Sequence, residues 1–433
     1  MTSFTLSGGR VLTPKGLLEA NIVVEGRIIR KIGKDAKAGE FINCRGLFIV
    51  PGFRDQHVHD LIGSLTDPSL SRISKVALAL AKHGVTSAKL ATLAMPKEKL
   101  LEYLSNIKSY ISSERNSVDG SRIEGAHVEG TFIRRECGGA QPREYIIEPW
   151  KTEAKDLLDK IVETGSVKLV NIAADFGSKL IKYATSRGLI VGCGHSKASA
   201  KQLEEAWRDG LKYIVHVTNG SMGQSFKPFE GGGTYEGALT LPLALEIIVD
   251  GYHIDPRYVS DMIERRIQKG RINDIITITD NVFPIEEEIP EEEFKAFSVV
   301  GCKSNNGRVL MLKRYMNEKG LWEIPPPGTL FGSLLTMDKA FENLLNLFTR
   351  DFSGFMIDRP ARRFDEALRI ASLMTSTNQA KLEGLDSVGI ISEGCLADLV
   401  ILAINGGSGS YNVKVKKTVI GGRIFEVNDF TDT

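Results

Sequence analysis

Eight short apolar segments alternate with amphipathic segments through the middle of the chain, and this alternation constrains its fold most. The apolar segments have the length of buried strands and span residues 46–53, 84–91, 122–129, 167–174, 189–195, 213–219, 246–253 and 275–280. Helical periodicity is present between most of them, at 70–83, 97–114, 151–164, 198–209 and 256–269. Eight strands that alternate with helices predict an α/β fold in which the strands close into a (β/α)8 TIM barrel.

The two ends of the chain have a different pattern. Residues 4–33, 395–404 and 413–427 read as short strands separated by Gly- and Lys-containing turns. We therefore expect a small β-sandwich domain built from both termini, residues 1–50 and 386–433, with the barrel occupying residues 51–385.

One region, residues 285–328, does not fit the alternation. It begins with the acidic, Pro-broken run 285–294, which is typical of a solvated surface, and continues as a β-rich insertion at 302–328. Because it follows the last barrel strand, we expect a lid or a contact between subunits.

Composition excludes several classes of function. The 433 residues include 55 basic and 54 acidic side chains, a net charge of +1, so no overall field attracts nucleic acid or anionic lipid. No apolar run has the length of a membrane span, and the N-terminus has no signal-like apolar core. The five cysteines are odd in number, widely spaced and without a C-x-x-C pair, which favours a reducing cytoplasm.

The segment PGFRDQHVHD, residues 51–60, carries a His-x-His pair. On a strand, alternate residues share a face, so His57 and His59 point the same way. Two imidazoles on one face can share a metal ion, although a lone His-x-His is a weak signal.

Other predicted strands also end in polar side chains. Strand 3 ends in His127 and Glu129, strand 5 in His195, strand 6 in His216 and strand 8 in Asp280. A core histidine satisfied by one backbone bond explains any one of them but not the set. Nitrogen and oxygen ligands that leave an open position are typical of a catalytic metal site.

Such a site needs a group that takes a proton from water and delivers it to a leaving nitrogen. Asp280, at the end of the buried segment TITD, is our candidate for this general base and acid. Lys227 and His253, near the same rim, are candidates for holding a phosphate or carboxylate, although a solvated loop lysine explains Lys227 equally well.

Across nearly the whole chain these motifs resemble the N-acetylglucosamine-6-phosphate deacetylases of the amidohydrolase superfamily. The resemblance lies in PGFRDQHVH (51–59), GAHVEGTFI (125–133), GHSKAS (194–199), HVTNGS (216–221), DGYHI (250–254), TITDN (277–281), GTLFGSLLTMDKA (328–340) and GIISEGCLADLVIL (389–402).

The resemblance implies a role for each matching residue. Glu129, His195 and His216 would bind the metal ion common to the family, and His57 and His59 a second ion found in some members. Asp280 would be the catalytic acid and base. The implied substrate contacts are Asn219 and Gly220, with His253 and Lys227 reaching the sugar phosphate across the interface of a homodimer.

Two departures from the family leave the substrate open. Gln141 stands where the family has a substrate-contacting histidine, and it cannot carry a positive charge. Lys227 stands where the family has an arginine, and a lysine cannot form the bidentate hydrogen bonds of an arginine. The first expectation is therefore deacetylation of N-acetylglucosamine 6-phosphate. N-acetylgalactosamine 6-phosphate or a non-phosphorylated amine is the alternative, and a non-catalytic binding or scaffold protein a remote one.

The sequence does not determine the identity of the metal ion either. A His/carboxylate site suits zinc, and iron, manganese, cobalt and nickel are feasible. One or two ions are expected per subunit.

Overall fold

The computed structural model describes residues 3–220, 231–317 and 319–426. Its strands, in chain order, are β1 (Ser3–Thr13), β2 (Gly16–Glu25), β3 (Ile28–Gly33), β4 (Glu40–Asn43), β5 (Phe48–Pro51), β6 (Phe53–His59), β7 (Val85–Thr92), β8 (Arg122–Phe132), β9 (Val167–Ile172), β10 (Ile190–Cys193), β11 (Leu211–Ile214), β12 (Ala244–Ile248), β13 (Ile275–Ile278), β14 (Phe294–Ala296), β15 (Val299–Lys303), β16 (Val309–Met316), β17 (Trp322–Glu323), β18 (Leu330–Ser333), β19 (Phe352–Ser353), β20 (Asp358–Arg359), β21 (Leu399–Asn405), β22 (Asn412–Ile420) and β23 (Arg423–Glu426).

The α-helices are α1 (Leu61–Leu65), α2 (Leu70–Lys82), α3 (Lys97–Ile111), α4 (Thr152–Glu163), α5 (Lys179–Ser186), α6 (Ala200–Arg208), α7 (Thr234–Thr240), α8 (Pro256–Gln268), α9 (Met337–Phe348), α10 (Phe364–Ser372) and α11 (Asn378–Leu382). A π-helical turn, Leu373–Thr377, joins the last two. Within the ranges given above, no helix is both long and apolar enough to cross a membrane.

Strands from both ends of the chain form one sheet, as predicted. Its order is β23-β22-β21-β5-β1-β2-β3, and β4 pairs with β1. Alternate residues of these strands are buried in a separate apolar cluster that includes Leu6, Ile22, Ile49 and Leu399. The boundaries of the two predicted domains stay a prediction.

Strands β6 to β13 form an eight-stranded parallel sheet in sequential order, which confirms the predicted barrel. The surrounding helices present one apolar face to it. In α2, for example, Ile73, Val76, Ala77 and Leu80 are buried at helical spacing, and the Ser69 side chain accepts a hydrogen bond from the Arg72 N–H to cap the first turn.

The first barrel strand differs from the prediction of 46–53. Residues 48–51 belong to β5 in the terminal sheet, and the barrel strand β6 starts at Phe53 and runs to His59. One apolar run therefore serves two sheets, which periodicity alone does not separate because both strands are fully buried.

The barrel closes through backbone hydrogen bonds between its first and last strands. The Asp280 N–H donates to the His57 carbonyl (2.9 Å), and the His59 N–H donates to the Asn281 carbonyl (2.8 Å). We call these two bonds the closing seam. They place the predicted acid and base directly beside the His-x-His pair.

The insertion is β-rich, as predicted. Strands β14 to β18 form an antiparallel sheet between β13 and α9. The insertion returns to the barrel mouth, where the Ser333 N–H donates to the Asp280 carbonyl (3.1 Å). Its role as a lid or subunit contact stays a prediction.

Candidate metal centre at the barrel mouth

The predicted metal ligands converge at the carboxyl ends of the barrel strands. His57 and His59 lie on β6, Glu129 lies on β8, and His195 and His216 follow β10 and β11. All five are buried.

Glu129 is the central residue of the group. Its Oε1 lies 2.9 Å from His195 Nε2 and 2.8 Å from His216 Nε2. His59 Nε2 lies 3.7 Å from the other oxygen, Oε2, and His57 Nε2 lies 3.8 Å from Oε1. One carboxylate thus lies between two pairs of imidazoles.

The backbone is held in an unusual conformation at three of these strand ends. His195, His216 and Asp280 have positive φ angles of 49°, 25° and 52°. Such angles are uncommon for residues other than glycine and carry strain that clusters at functional sites. Gly220 (φ 61°) lies beside them, and a Cβ there would come within 2.5 Å of His195 Nδ1.

The donor set fits a divalent metal ion. His57 Nε2 is buried and has no hydrogen-bond partner among the residues that the structure describes. It lies 3.6 Å from Asp280 Oδ1, on the side that also faces Glu129. Donor atoms of two triads, His57/Glu129/His216 and His57/His59/Asp280, lie within 4.8 Å of one another. Imidazoles and carboxylates of this kind suit zinc and the neighbouring transition metals.

The charge balance also favours a cation. Burial lowers the pKa of His57, but the hydrogen bond and charge of Glu246, with the charges of Asp280 and Glu129, outweigh it and raise the pKa to about 10. The carboxylates therefore create a strong preference for positive charge here, which a proton or a metal ion can supply.

Asp280 lies where a proton acceptor is needed. Its Oδ1 is 3.2 Å from His59 Nε2, and the side chain lines the cavity above the histidines. Burial raises the pKa of Asp280, but the hydrogen bond to His59 and the charges of the surrounding histidines hold it below its ordinary value. The carboxylate is thus ionised at neutral pH and able to accept a proton.

The cavity above these residues has a volume of about 250 Å³. Gln141, Asn219, Gly220 and His253 line it, together with Gly328–Gly332, which runs into β18. His253 is oriented by Asp250, whose Oδ2 lies 2.7 Å from its Nδ1. Lys227 lies outside the described residues.

Gln141 lines the cavity, but both ends of its amide are engaged elsewhere. Its Nε2 donates to Glu129 Oε2, and its Oε1 accepts from the Ala94 N–H at 2.8 Å. In this arrangement Gln141 supports a candidate metal ligand, so its predicted contact with substrate requires the amide to move.

Sequence reasoning missed Glu246, a fully buried carboxylate on β12 whose Oε2 lies 3.2 Å from His57 Nδ1. A lone acid within the apolar run LPLALEIIV was the available signal. His127 is a neighbour of His57: its Nε2 lies 3.0 Å from the Tyr213 hydroxyl, and its ring packs edge-on against the His57 ring.

The chain is similar to curated proteins over most of its length. No protein-family model matches the chain. The N-acetylglucosamine-6-phosphate deacetylase of Bacillus subtilis (strain 168) is 27% identical over 374 residues, 82% of this chain and 80% of that protein. The human enzyme of the same name is 27% identical over 410 residues, 91% of this chain and 86% of that protein.

Solved structures of the same enzyme share the fold. The protein from Thermotoga maritima superposes with a TM-score of 0.74 at 23% identity, covering 98% of this chain and 99% of that chain. A variant from Mycobacterium smegmatis, in complex with N-acetyl-D-glucosamine-6-phosphate, gives a TM-score of 0.75 at 21% identity and the same coverage.

The chain is thus similar over most of its length to N-acetylglucosamine-6-phosphate deacetylases, in sequence to the curated relatives and in fold to the solved structures.

Proposed function

We propose that the protein is a metal-dependent deacetylase that hydrolyses N-acetylglucosamine 6-phosphate to the free amine and acetate. The observation that carries the proposal is the position of Asp280, 3.2 Å from His59 and 3.6 Å from His57, facing a cavity at the barrel mouth. A proton acceptor beside a cluster of metal-type ligands is what amide hydrolysis requires.

Glu129, His195 and His216 would hold the essential ion, and His57 and His59 a second one beside the same carboxylate. When bound, a divalent ion supplies Lewis acidity, which makes water acidic enough to ionise near neutral pH and polarises a carbonyl group. Zinc is our first choice for this donor set.

The residues of the chain perform the proton transfers. Asp280 Oδ1 accepts a proton from the attacking water and then donates it to the nitrogen of the departing amine, since an amine anion is too basic to leave unprotonated. Asn219 and the backbone at Gly220, which line the cavity, would orient the sugar.

His253 and Lys227 would bind the phosphate in a homodimer, with part of the contact coming from the partner subunit. Asp250 supports this role for His253 because its carboxylate, 2.7 Å from Nδ1, leaves Nε2 available.

A second candidate keeps the chemistry and changes the substrate. The engaged amide of Gln141 favours it, because the group that stands for the family histidine is bonded to Glu129 and Ala94. N-acetylgalactosamine 6-phosphate and non-phosphorylated N-acetyl amines are the compounds to consider.

The test is acetate release by the purified protein with Zn²⁺, Fe²⁺, Mn²⁺, Co²⁺ or Ni²⁺, supplied singly. N-acetylglucosamine 6-phosphate, N-acetylgalactosamine 6-phosphate and free N-acetylglucosamine are compared side by side. We expect the highest kcat/KM with the first. A preference for either other sugar supports the second candidate, and no acetate with any metal and any sugar contradicts both.

A further inference from the structure

Glu246 is the carboxylate that the proposed reaction does not use. It lies on β12 within the run ALEII, and its side chain is fully buried. Its Oε1 accepts a hydrogen bond from Gln56 Nε2 at 2.6 Å. Its Oε2 lies 3.2 Å from His57 Nδ1 and accepts from the His216 N–H at 3.3 Å.

Burying the Glu246 carboxylate in the barrel core costs free energy. Removing a carboxylate from water carries a penalty of several kcal/mol that hydrogen bonds and opposite charge must offset. The three partners of Glu246 are an amide, an imidazole and a backbone N–H, and only the imidazole can carry a positive charge. The barrel core would be easier to build with an apolar residue here.

The bond to His57 has a chemical consequence. An ionised carboxylate can only accept, so the hydrogen between the two groups belongs to Nδ1 of the imidazole. When the ring is neutral, as a metal ligand must be, its lone pair is on Nε2. That atom is buried, has no hydrogen-bond partner in the described part of the chain, and is 3.6 Å from Asp280 Oδ1.

His195 obtains the same orientation from a different group. Its Nδ1 lies 2.7 Å from the backbone carbonyl of Cys137, which also can only accept. The ring orientation of His195 is therefore independent of Glu246, whereas that of His57 is not.

We propose that Glu246 is a positioning residue for the second metal ion: it holds His57 in the tautomer and orientation that present Nε2 to the centre. The inference rests on the proposed function, because it assumes that divalent ions bind at the barrel mouth. Carboxylates that accept from a ligating histidine are worth about 10–100-fold in metal affinity.

Two substitutions of this residue test the role. Glu246→Gln keeps the volume and one carbonyl acceptor but removes the charge, and Glu246→Leu removes every acceptor. Thr277→Val is the matched control, since Thr277 is a buried residue on the adjacent strand β13 whose Oγ1 has no hydrogen-bond partner among the described residues.

The measurement is the number and affinity of bound Zn²⁺ ions by equilibrium dialysis against metal buffers, with Co²⁺ absorption as a report of coordination. We expect two ions in the wild-type protein and in Thr277→Val. The weaker ion should lose about tenfold in affinity in Glu246→Gln and about 100-fold in Glu246→Leu, while the tighter ion is retained.

A measurement on the wild-type protein does not depend on whether a variant folds. Nitrogen NMR of the Zn²⁺-loaded protein distinguishes a protonated Nδ1 from a bare one, and we expect His57 to carry hydrogen on Nδ1. A bare Nδ1, wild-type affinities in both Glu246 variants, or equal weakening of the two ions would overturn the positioning role. Wild-type protein that binds no divalent ion contradicts the proposed function itself.

Discussion

The Nε2 atoms of His195 and His216 lie 3.1 Å apart, and each is within 2.9 Å of the same oxygen of Glu129. Three strands of the barrel thus bring three donor atoms to one point. Replacing any one of them removes a direct ligand from the proposed essential ion.

We expect His195→Gln to lose bound metal and acetate release together. The loss of affinity should exceed about 100-fold, since supporting partners alone are worth about 10–100-fold. Elemental analysis of the dialysed protein and the acetate assay measure the two effects. His83→Gln, remote from the cavity, is the control, and full metal content in His195→Gln would remove this residue from the ligand set.

Asp280→Asn should separate metal binding from turnover. The amide keeps the size of the side chain but cannot take a proton from water, so we expect kcat to fall by about 10²–10⁴. Metal content is measured on the same sample and should retain the ion held by Glu129, His195 and His216. Asp365→Asn, an exposed acid of α10, should leave kcat unchanged. Turnover at the wild-type rate in Asp280→Asn would refute the proton-transfer role.

Gln141→Leu should weaken the metal centre and the fold at once. Leucine cannot donate to Glu129, and it leaves the buried Ala94 N–H without its acceptor. An unsatisfied buried donor costs about 1–3 kcal/mol in the free energy of unfolding. Urea denaturation of metal-free protein measures this loss, and dialysis measures the accompanying loss of Zn²⁺ affinity. If only KM changes, Gln141 contacts the substrate instead of supporting Glu129.

The pair formed by His83 and Asp338 makes stability depend on pH. His83 Nδ1 lies 3.1 Å from Asp338 Oδ1, and Glu286 lies 3.7 Å from Nε2. Burial lowers the pKa of His83, but Asp338 and Glu286 raise it above its ordinary value. Burial raises the pKa of Asp338, and the bond to His83 brings it below its ordinary value.

The sign of the dependence follows from these two shifts. The raised pKa of His83 gives stability that is complete below about pH 6.5 and is lost as pH rises through the folded-state value. The lowered pKa of Asp338 gives stability that is present above about pH 3.9 and is lost as pH falls through its folded-state value. The pair therefore stabilises most between these limits.

We expect His83→Gln to lower the free energy of unfolding by about 1 kcal/mol near pH 5.5, a value reduced for the partial exposure of both side chains. The difference from wild type should shrink as pH rises through the raised folded-state pKa of His83, where the imidazole becomes neutral. Urea denaturation across this range at fixed metal concentration measures it. A difference that grows as pH rises would show that the ion pair is not its source.

The sequence predicted the barrel because its strands are apolar, short and regularly spaced, and because the polar residues follow them. The sequence also predicted which site residues lie close together, because parallel barrel strands end on one face. These residues are His57, His59, Glu129, His195, His216 and Asp280. The prediction joined β5 and β6 in one strand because both are buried on every residue, and the Pro51-Gly52 pair was the available signal of the break.

The supporting contacts were less accessible. Nothing in the sequence indicates that the amide of Gln141 bonds to Glu129 and to Ala94, since these residues meet only when the loop after β8 folds back against the ends of β7 and β8. The sequence shows Glu246 as an isolated acid in an apolar strand, but it does not indicate that His57 is its partner. Pairs of this kind depend on the stagger of neighbouring strands, which local pattern does not encode.

The closing seam joins residues 57 and 280, more than half the chain apart, and it does so at the reacting carboxylate. A nascent chain therefore gains its proton acceptor only when the last barrel strand has been synthesised and docked against the first. Turnover therefore requires a closed barrel, so in a refolding experiment the appearance of acetate reports that the first and last barrel strands have met.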